Sequence, residues 1–364
     1  MTCTQSQPQL ETKSKPRIFI IGSLNIDIVT TTPRIPHPGE TITATSRTLS
    51  PGGKGANQAV ACGRAAFVSP GEQDVDVSIV GAVGGKDGYF ASLIEPVLRM
   101  SGVCTDGVSV VEDEDEAVPT GTSLILVDAE SAENRILFVP GANYVGMRDV
   151  EGILRRSLAG NAGDRSSSSA EPDVVVLQGE IPHETTVALL QYFNVETVKT
   201  HVVFNPAPMP PKGIPLSALK GLAVLVMNET ECLILARSLG LGPEVAGISR
   251  AQFDTVASHL LSIGTQNIIV TLGGDGAYFA ASEPGARGHI PAVQVDRVVD
   301  TTAAGDTFTG YVAVALARYI GSGGRGCSLP AFDLRGAGEG ASVAAAKCVQ
   351  IAGSMGSIPF GYEL

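Results

Sequence analysis

The segment Asp300-Thr301-Thr302-Ala303-Ala304-Gly305-Asp306-Thr307-Phe308 lies between an apolar strand-like run and an apolar helix-like run. Ala303–Asp306 would then present consecutive amides at a helix N-terminus, where they stabilise an anion or charge developing on a transferred phosphoryl group. Asp306 has two readings. It is a helix cap, or a general base that faces the anion site and takes a hydroxyl proton. A second cluster is Gly52-Gly53-Lys54-Gly55-Ala56-Asn57. Its glycines let backbone approach a polar ligand closely, Lys54 adds charge, and Asn57 adds a donor and an acceptor. It is not a Walker A loop, which ends in Gly-Lys-Ser/Thr after a longer spacer. The alternative is a tight turn that carries a lysine.

Two further clusters follow apolar runs. Asn228-Glu229-Thr230-Glu231 could orient magnesium-bound water beside phosphates, or cap a helix with glutamates in its first turn. Thr271-Leu272-Gly273-Gly274-Asp275-Gly276 could cradle a nucleotide or form a hairpin turn. Two look-alikes are set aside. Gly321–Gly326 fits G-x-G-x-x-G by letter but follows a helix rather than a strand. The acidic run Val111–Glu116 lacks EF-hand spacing.

The elements that must hold these clusters alternate. Strands are expected at Arg17–Ile21, Val75–Val83, Asp173–Leu177, Val202–Phe204, Ala223–Met227, Asn267–Thr271, Ala277–Ala281 and Val293–Val299. Helices are expected at Gly55–Ala66, Tyr89–Met100, Glu184–Val198, Glu229–Ser238, Arg250–Ile263, Ala304–Ile320 and Gly338–Cys348. Alternating strand and helix predict an α/β fold, a three-layer α/β/α sandwich with a mostly parallel central sheet. Extra short strands at Ile26–Val29, Glu40–Thr45, Val108–Val111, Gly121–Val127 and Arg135–Val139 break the alternation. They predict a small separate β-sheet, a lid made from about 26–45 and 108–139. Residues 1–16 read as a disordered tail, 17–364 as one domain, and the serine-rich stretch 161–172 and the glycine-rich stretch 321–340 as flexible insertions.

Composition narrows the function. Of 364 residues, 44% are hydrophobic and 17% charged, which excludes general disorder and allows a large core. The 43 glycines exceed the usual ~7% without a three-residue period, so the chain is not collagen-like. The net charge is -12 and no run of Lys or Arg occurs, so neither nucleic acid nor an anionic membrane is an expected partner. No apolar stretch reaches the ~18 residues of a membrane span, and the N-terminus lacks a signal-peptide core. The expected location is the cytoplasm. Six cysteines without a C-x-x-C pair read as buried thiols, and five scattered histidines suggest no zinc site.

Taken in order, the four clusters closely resemble the ribokinase-like (PfkB-type) sugar kinases, from about Arg17 to Phe360. Both signatures of that family are present, the glycine loop ending in Asn57 and the stretch Asp300–Phe308. Gly22–Asp27, Gly141-Ala142-Asn143 and Asn205–Pro208 add to the likeness. The resemblance implies a ribokinase-like, Rossmann-like fold and ATP-dependent phosphorylation of D-ribose at its 5-hydroxyl, supplying pentose phosphate and nucleotide synthesis. By matching motif positions, Asn25, Asp27, Gly52, Gly53, Lys54, Asn57 and Glu180 would hold ribose. Asp306 would be the base, with Ala303, Ala304 and Gly305 as the anion hole. Asn228, Thr271, Gly273 and Gly276 would contact ATP, and Glu231 would act through Mg2+ and phosphate. K+ would be held by Asp300 and Thr302, then Cys348, Ile351, Gly353 and Ser357, mostly through carbonyls. A homodimer through the β lid, and the nucleus as a second location, are also implied. The rival readings are a kinase for another sugar or a nucleoside, and a non-catalytic ribose sensor.

Overall fold

The computed structural model describes residues 14–112, 118–131, 134–158, 171–195, 197–242, 249–283, 286–324, 329 and 331–364. Most of the expected tail, most of the serine-rich stretch, and Cys3 and Cys327 lie outside them. Nine strands form the main sheet. From one edge their order is Arg287–Ile290, Ala277–Ala281, Asn267–Thr271, Val224–Asn228, His201–Phe204, Val174–Leu177, Arg17–Ile21, Asp76–Gly84 and Val103–Val111. The seven from Asn267–Thr271 to Val103–Val111 pair in parallel, and the two at the other edge are antiparallel.

Valine-rich and isoleucine-rich runs suit such a sheet because both faces are covered. Successive side chains point to opposite faces. Ile18 and Ile20 join one core with Ala59, Val60, Phe308 and Val312, from the helices Lys54–Ala65 and Ala304–Gly321. Phe19 and Ile21 join another with Leu189, Leu190, Leu235 and Phe253, from the helices His183–Phe193, Glu229–Ser238 and Arg250–Ser262. This is the expected three-layer arrangement.

A second sheet of four strands has the order Ser46–Gly52, Asn25–Thr32, Gly121–Asp128, Asn134–Val139. It corrects the expected small sheet at two places. Glu40–Thr45 is not a strand. Thr31 pairs with Ser46 and its carbonyl takes the last bond, from the Thr45 N–H at 2.8 Å, so residues 40–44 run past the end of their partner. Val108–Val111 belongs to the main sheet, because the strand starts at Val103 and follows Asp76–Gly84 in parallel register.

Other bounds move for local reasons. The stretch Val293–Val299 alternates like a strand but has no sheet partner among the described residues, and Val293, Val298 and Val299 stay exposed. The last helix starts at Leu334 rather than Gly338, because the Asp333 carboxylate accepts the Gly336 N–H at 2.9 Å and caps it there. The helix expected to reach Val198 ends at Phe193. Tyr89–Met100 divides into a wide turn, Phe90–Ile94, and a short helix, Glu95–Met100. Cys62, Cys232 and Cys348 are buried and Cys104 half-buried, all unpaired.

Candidate active site

Parallel strands leave their carboxyl ends on one rim, where ligands of open α/β sheets bind. Here that rim collects Gly22–Asn25, Gln178–Glu180, Asn205, Asn228 and Thr271, each at or just beyond the end of a strand. The small sheet grows from the same rim. The strand Ser46–Gly52 runs through Gly53 directly into the helix Lys54–Ala65, and Gly53 takes φ 89° to make that turn. A side chain at Gly53 would also meet the Asn25 backbone nitrogen, 2.8 Å from its Cβ.

A polar cluster forms at this junction. The Glu180 carboxylate accepts the Ser23 hydroxyl at 2.6 Å, the Lys54 backbone N–H at 2.9 Å and the Asn25 side-chain amide at 3.3 Å. Asn143 accepts the Leu24 N–H at 2.9 Å and donates to Asn25 Oδ1 at 2.7 Å. Asp27 lies against Gly52, where a Cβ would fall 2.1 Å from Oδ2. Gly52 must therefore stay a glycine for the carboxylate to fit.

Asp306 does not cap its helix. Its Oδ2 accepts from Asn57 Nδ2 at 3.0 Å and its Oδ1 from Gln58 Nε2 at 2.9 Å, across more than 240 residues of chain. The preceding Ala303 adopts φ 62°, a left-handed conformation that costs a non-glycine residue about 1–3 kcal/mol. That turn starts the helix at Ala304 and leaves Gly305 facing open space. The Ala304 N–H makes a long turn contact of 3.3 Å with the Thr301 carbonyl.

The two remaining clusters take the structural reading first. Asn228 and Glu231 form a reciprocal cap, each side chain accepting the other's backbone N–H at 2.8 Å. Thr271–Gly276 joins the antiparallel strands Asn267–Thr271 and Ala277–Ala281 as a hairpin. Gly276 needs φ 87° there, while Gly273 and Gly274 face open space that a ligand could enter.

The family model described as pfkB family carbohydrate kinase matches residues 15–360. The chain belongs to this family. It is 34% identical over 300 residues to a ribokinase of Lactococcus lactis subsp. lactis, covering 82% of this chain and 83% of that one. The crystal structure of ribokinase from Thermotoga maritima matches with a TM-score of 0.74 at 31% identity, over 96% of this chain and 98% of that one. The structure of Arabidopsis thaliana ribokinase complexed with ribose and ATP matches with a TM-score of 0.73 at 26% identity, over 96% of both chains.

In this pfkB-family chain the expected cation residues also converge. Asp300 Oδ1 accepts the Thr302 hydroxyl at 2.7 Å and its N–H at 2.9 Å, and Oδ2 accepts the Gly353 N–H at 2.9 Å. Burial opposes the Asp300 charge, but these hydrogen bonds outweigh it and hold the carboxyl below its ordinary range. The Cys348 thiol lies 3.7 Å from the Thr302 carbonyl and 3.1 Å from Ser357 Oγ. Ile351 joins through its N–H to the Cys348 carbonyl, with its side chain half exposed.

Four carboxylates surround Lys54. Burial works against its ammonium, but Asp306, Glu180, Glu231 and Asp27 together push its pKa up. Burial raises Glu180 and Glu231. Burial also carries Asp27 from 3.8 to about 6, with Glu180 and Asp306 adding to it and the Ser123 hydrogen bond opposing. Because this folded value is raised, Asp27 contributes stability below pH 3.8 that is lost as the pH climbs to about 6. At roughly 1.4 kcal/mol per pKa unit, the ionised form costs the ligand-free fold about 3 kcal/mol. Asp27→Asn therefore raises the melting temperature at pH 7, and the gain shrinks towards pH 4. A pH-independent gain would show that charge is not its cause.

Two residues of the site escape sequence reasoning. Gln58 and Gln178 are fully buried, Gln58 against Asp306 and Gln178 behind Gln58. Their only sequence signal is a glutamine inside an otherwise apolar run, Ala59–Cys62 after one and Val174–Leu177 before the other.

Proposed function

We propose that this chain transfers the terminal phosphoryl group of ATP to O5 of D-ribose, giving D-ribose 5-phosphate and releasing ADP. The observation that carries the chemistry is the buried Asp306 carboxylate, held by Asn57 beside the open N-terminus of Ala304–Gly321. Phosphoryl transfer needs positioning, charge stabilisation and a base, with little covalent work by the protein. Asn25, Asp27, Lys54, Asn57 and Glu180 bind and orient the sugar through its hydroxyls, beside the backbone of Gly52 and Gly53. Asn57 Oδ1 is buried without a partner, as an acceptor reserved for a ligand hydroxyl would be. Asp306 takes the O5 proton as the oxygen attacks. The amides of Ala303, Ala304 and Gly305 receive the negative charge that develops. The hairpin glycines Gly273 and Gly276, with Thr271 and Asn228, hold the nucleotide.

Magnesium supplies charge neutralisation on the phosphates, and Glu231 would face it through water. The oxygen donors around Asp300 and Thr302, with carbonyls near Gly353 and the Ser357 hydroxyl, suit a hard monovalent cation. When bound, K+ supplies a fixed charge that holds the Thr301–Ala304 turn. The names of the relatives support ribose over other acceptors. A sensor without turnover would have no use for a base.

The test is product analysis with ATP and magnesium, offering ribose, fructose or adenosine, in potassium or sodium salts of equal ionic strength. Ribose 5-phosphate is the expected product, formed about tenfold or more faster in potassium, since preorganised donors are worth 10²–10³-fold each. Transfer to adenosine instead of ribose would replace the substrate. Equal rates in the two salts would remove the cation while leaving the kinase.

A homodimer through the small sheet is part of the same proposal. Its edge strand Asn134–Val139 pairs on one side, and Ile136, Leu137 and Val139 are more than half exposed. No helix among the described residues is long and apolar enough to cross a membrane. The cytoplasm, with the nucleus as a second place, is the proposed location.

A further inference from the structure

We infer that Gln58 and Gln178 are positioning residues, a buried two-amide relay that locks the carboxylate of Asp306 in the orientation the proton transfer requires. This rests on the reading of Asp306 as the base. Gln58 Nε2 donates to Asp306 Oδ1 at 2.9 Å and to Asn205 Oδ1 at 3.0 Å. Gln58 Oε1 accepts from Gln178 Nε2 at 2.8 Å. The relative exposures of Gln58 and Gln178 are 0% and 1%, so water does not compete for these bonds.

The polarity of the relay follows from its ends. An ionised carboxylate only accepts, so Gln58 must turn its nitrogen to Asp306. Asn205 Nδ2 is committed to the Val226 carbonyl at 3.0 Å, so its oxygen is left to face Gln58 and asks for the same orientation. The Gln58 oxygen then points away, and only a donor can satisfy it. Gln178 provides that donor from the end of the strand Val174–Leu177. Its own Oε1 is left buried without a partner, packed over Gly22, where even a methyl group would fall 1.9 Å away. A buried acceptor left unpaired is costly. Turning the Gln178 amide over would set two oxygens against each other at Gln58, so the unpaired acceptor stays at Gly22.

The carboxylate is thus gripped on one oxygen by the relay and on the other by Asn57. The grips differ in kind. Asn57 has a free oxygen that can serve a ligand, whereas all of the Gln58 amide is used inside the protein. Loss of the relay should therefore lower kcat and spare sugar affinity. Misplacement of a reacting group by about 1 Å costs up to ~10²-fold in rate.

The experiment compares Gln58→Met, Gln178→Met, the double variant and Asp306→Asn, reading kcat, ribose KM and thermal stability. Methionine keeps the length and removes the donor. Gln58→Met is expected to lower kcat on the order of 10–10²-fold with ribose KM within about threefold. Gln178→Met is expected to lower kcat less, and the double variant to be no worse than Gln58→Met, because groups that act through one another are not additive. Losses that multiply in the double variant, or an unchanged kcat in Gln58→Met, overturn the relay. If Gln58→Met does not fold, Gln178→Met decides alone: a lower kcat at constant KM supports the relay, and an unchanged kcat overturns it. If Asp306→Asn keeps its turnover, the base assignment has failed instead.

Discussion

Asp306→Asn is expected to abolish measurable phosphoryl transfer and to leave ribose binding within about tenfold of the parent. Removing a general base costs roughly 10²–10⁴-fold, and in the proposed role Asp306 would also fix the attacking hydroxyl. The fold should tolerate the change. An asparagine offers one oxygen and one amide where the carboxylate offered two oxygens. Its oxygen can keep the Gln58 bond, since Gln58 is held in one orientation by Asn205 and Gln178. Its amide then meets Asn57, which can turn over because Asn57 Oδ1 has no partner among the described residues, and the turned amide still offers the sugar a donor, since a hydroxyl can accept as well as donate. The measurements are single-turnover phosphoryl transfer and ribose calorimetry on the same sample. Turnover near that of the parent would remove Asp306 from the chemistry.

Asn57→Ala is expected to raise the ribose KM on the order of 10²-fold, with a smaller fall in kcat. A site built to hydrogen-bond hydroxyls loses most when a partner is removed, since the remaining buried groups are left unpaired. Asn57 is 5% exposed, and its free Oδ1 is the acceptor a sugar hydroxyl would use. The fall in kcat comes from the second role, the bond to Asp306 Oδ2. The contrast with Gln58→Met separates a residue that faces the ligand from one that faces only the base. Steady-state kinetics across ribose concentrations decides it. An unchanged KM would mean that Asn57 serves the base alone and that the sugar sits elsewhere.

Asn228 and Glu231 show how locally a sequence can speak. Residues three apart at a helix start close a reciprocal cap whatever lies around them, and the structure has that cap. Any contact with nucleotide must be made by what the cap leaves free. Glu40–Thr45 and Val293–Val299 show the opposite limit. Alternating apolar residues favour a strand, but a strand exists only where a neighbour offers its backbone. Among the described residues each stretch has one such bond at its end, Thr45 N–H to the Thr31 carbonyl and Val299 N–H to the Val349 carbonyl, and no ladder beyond it.

The sequence by itself determined the alternation of buried strands and helices, the glycine turn at Gly53, and the amide-rich start of the helix that carries Asp306. These follow from periodicity, glycine's conformational freedom and helix-end chemistry, all acting within a few residues. Only the tertiary structure decided that Val103–Val111 joins the main sheet, that Asp306 faces Asn57 and Gln58 rather than its own helix, and that Gln178 completes the grip. It also decided that burial, with Glu180 and Asp306 nearby, raises the Asp27 pKa to about 6. Each of these depends on groups brought together from distant parts of the chain, 120 residues apart for Gln178 and Gln58 and 248 for Gln58 and Asp306. Hydrogen bonds and desolvation act over a few ångströms of space, and separation along the chain does not reveal which groups will share them.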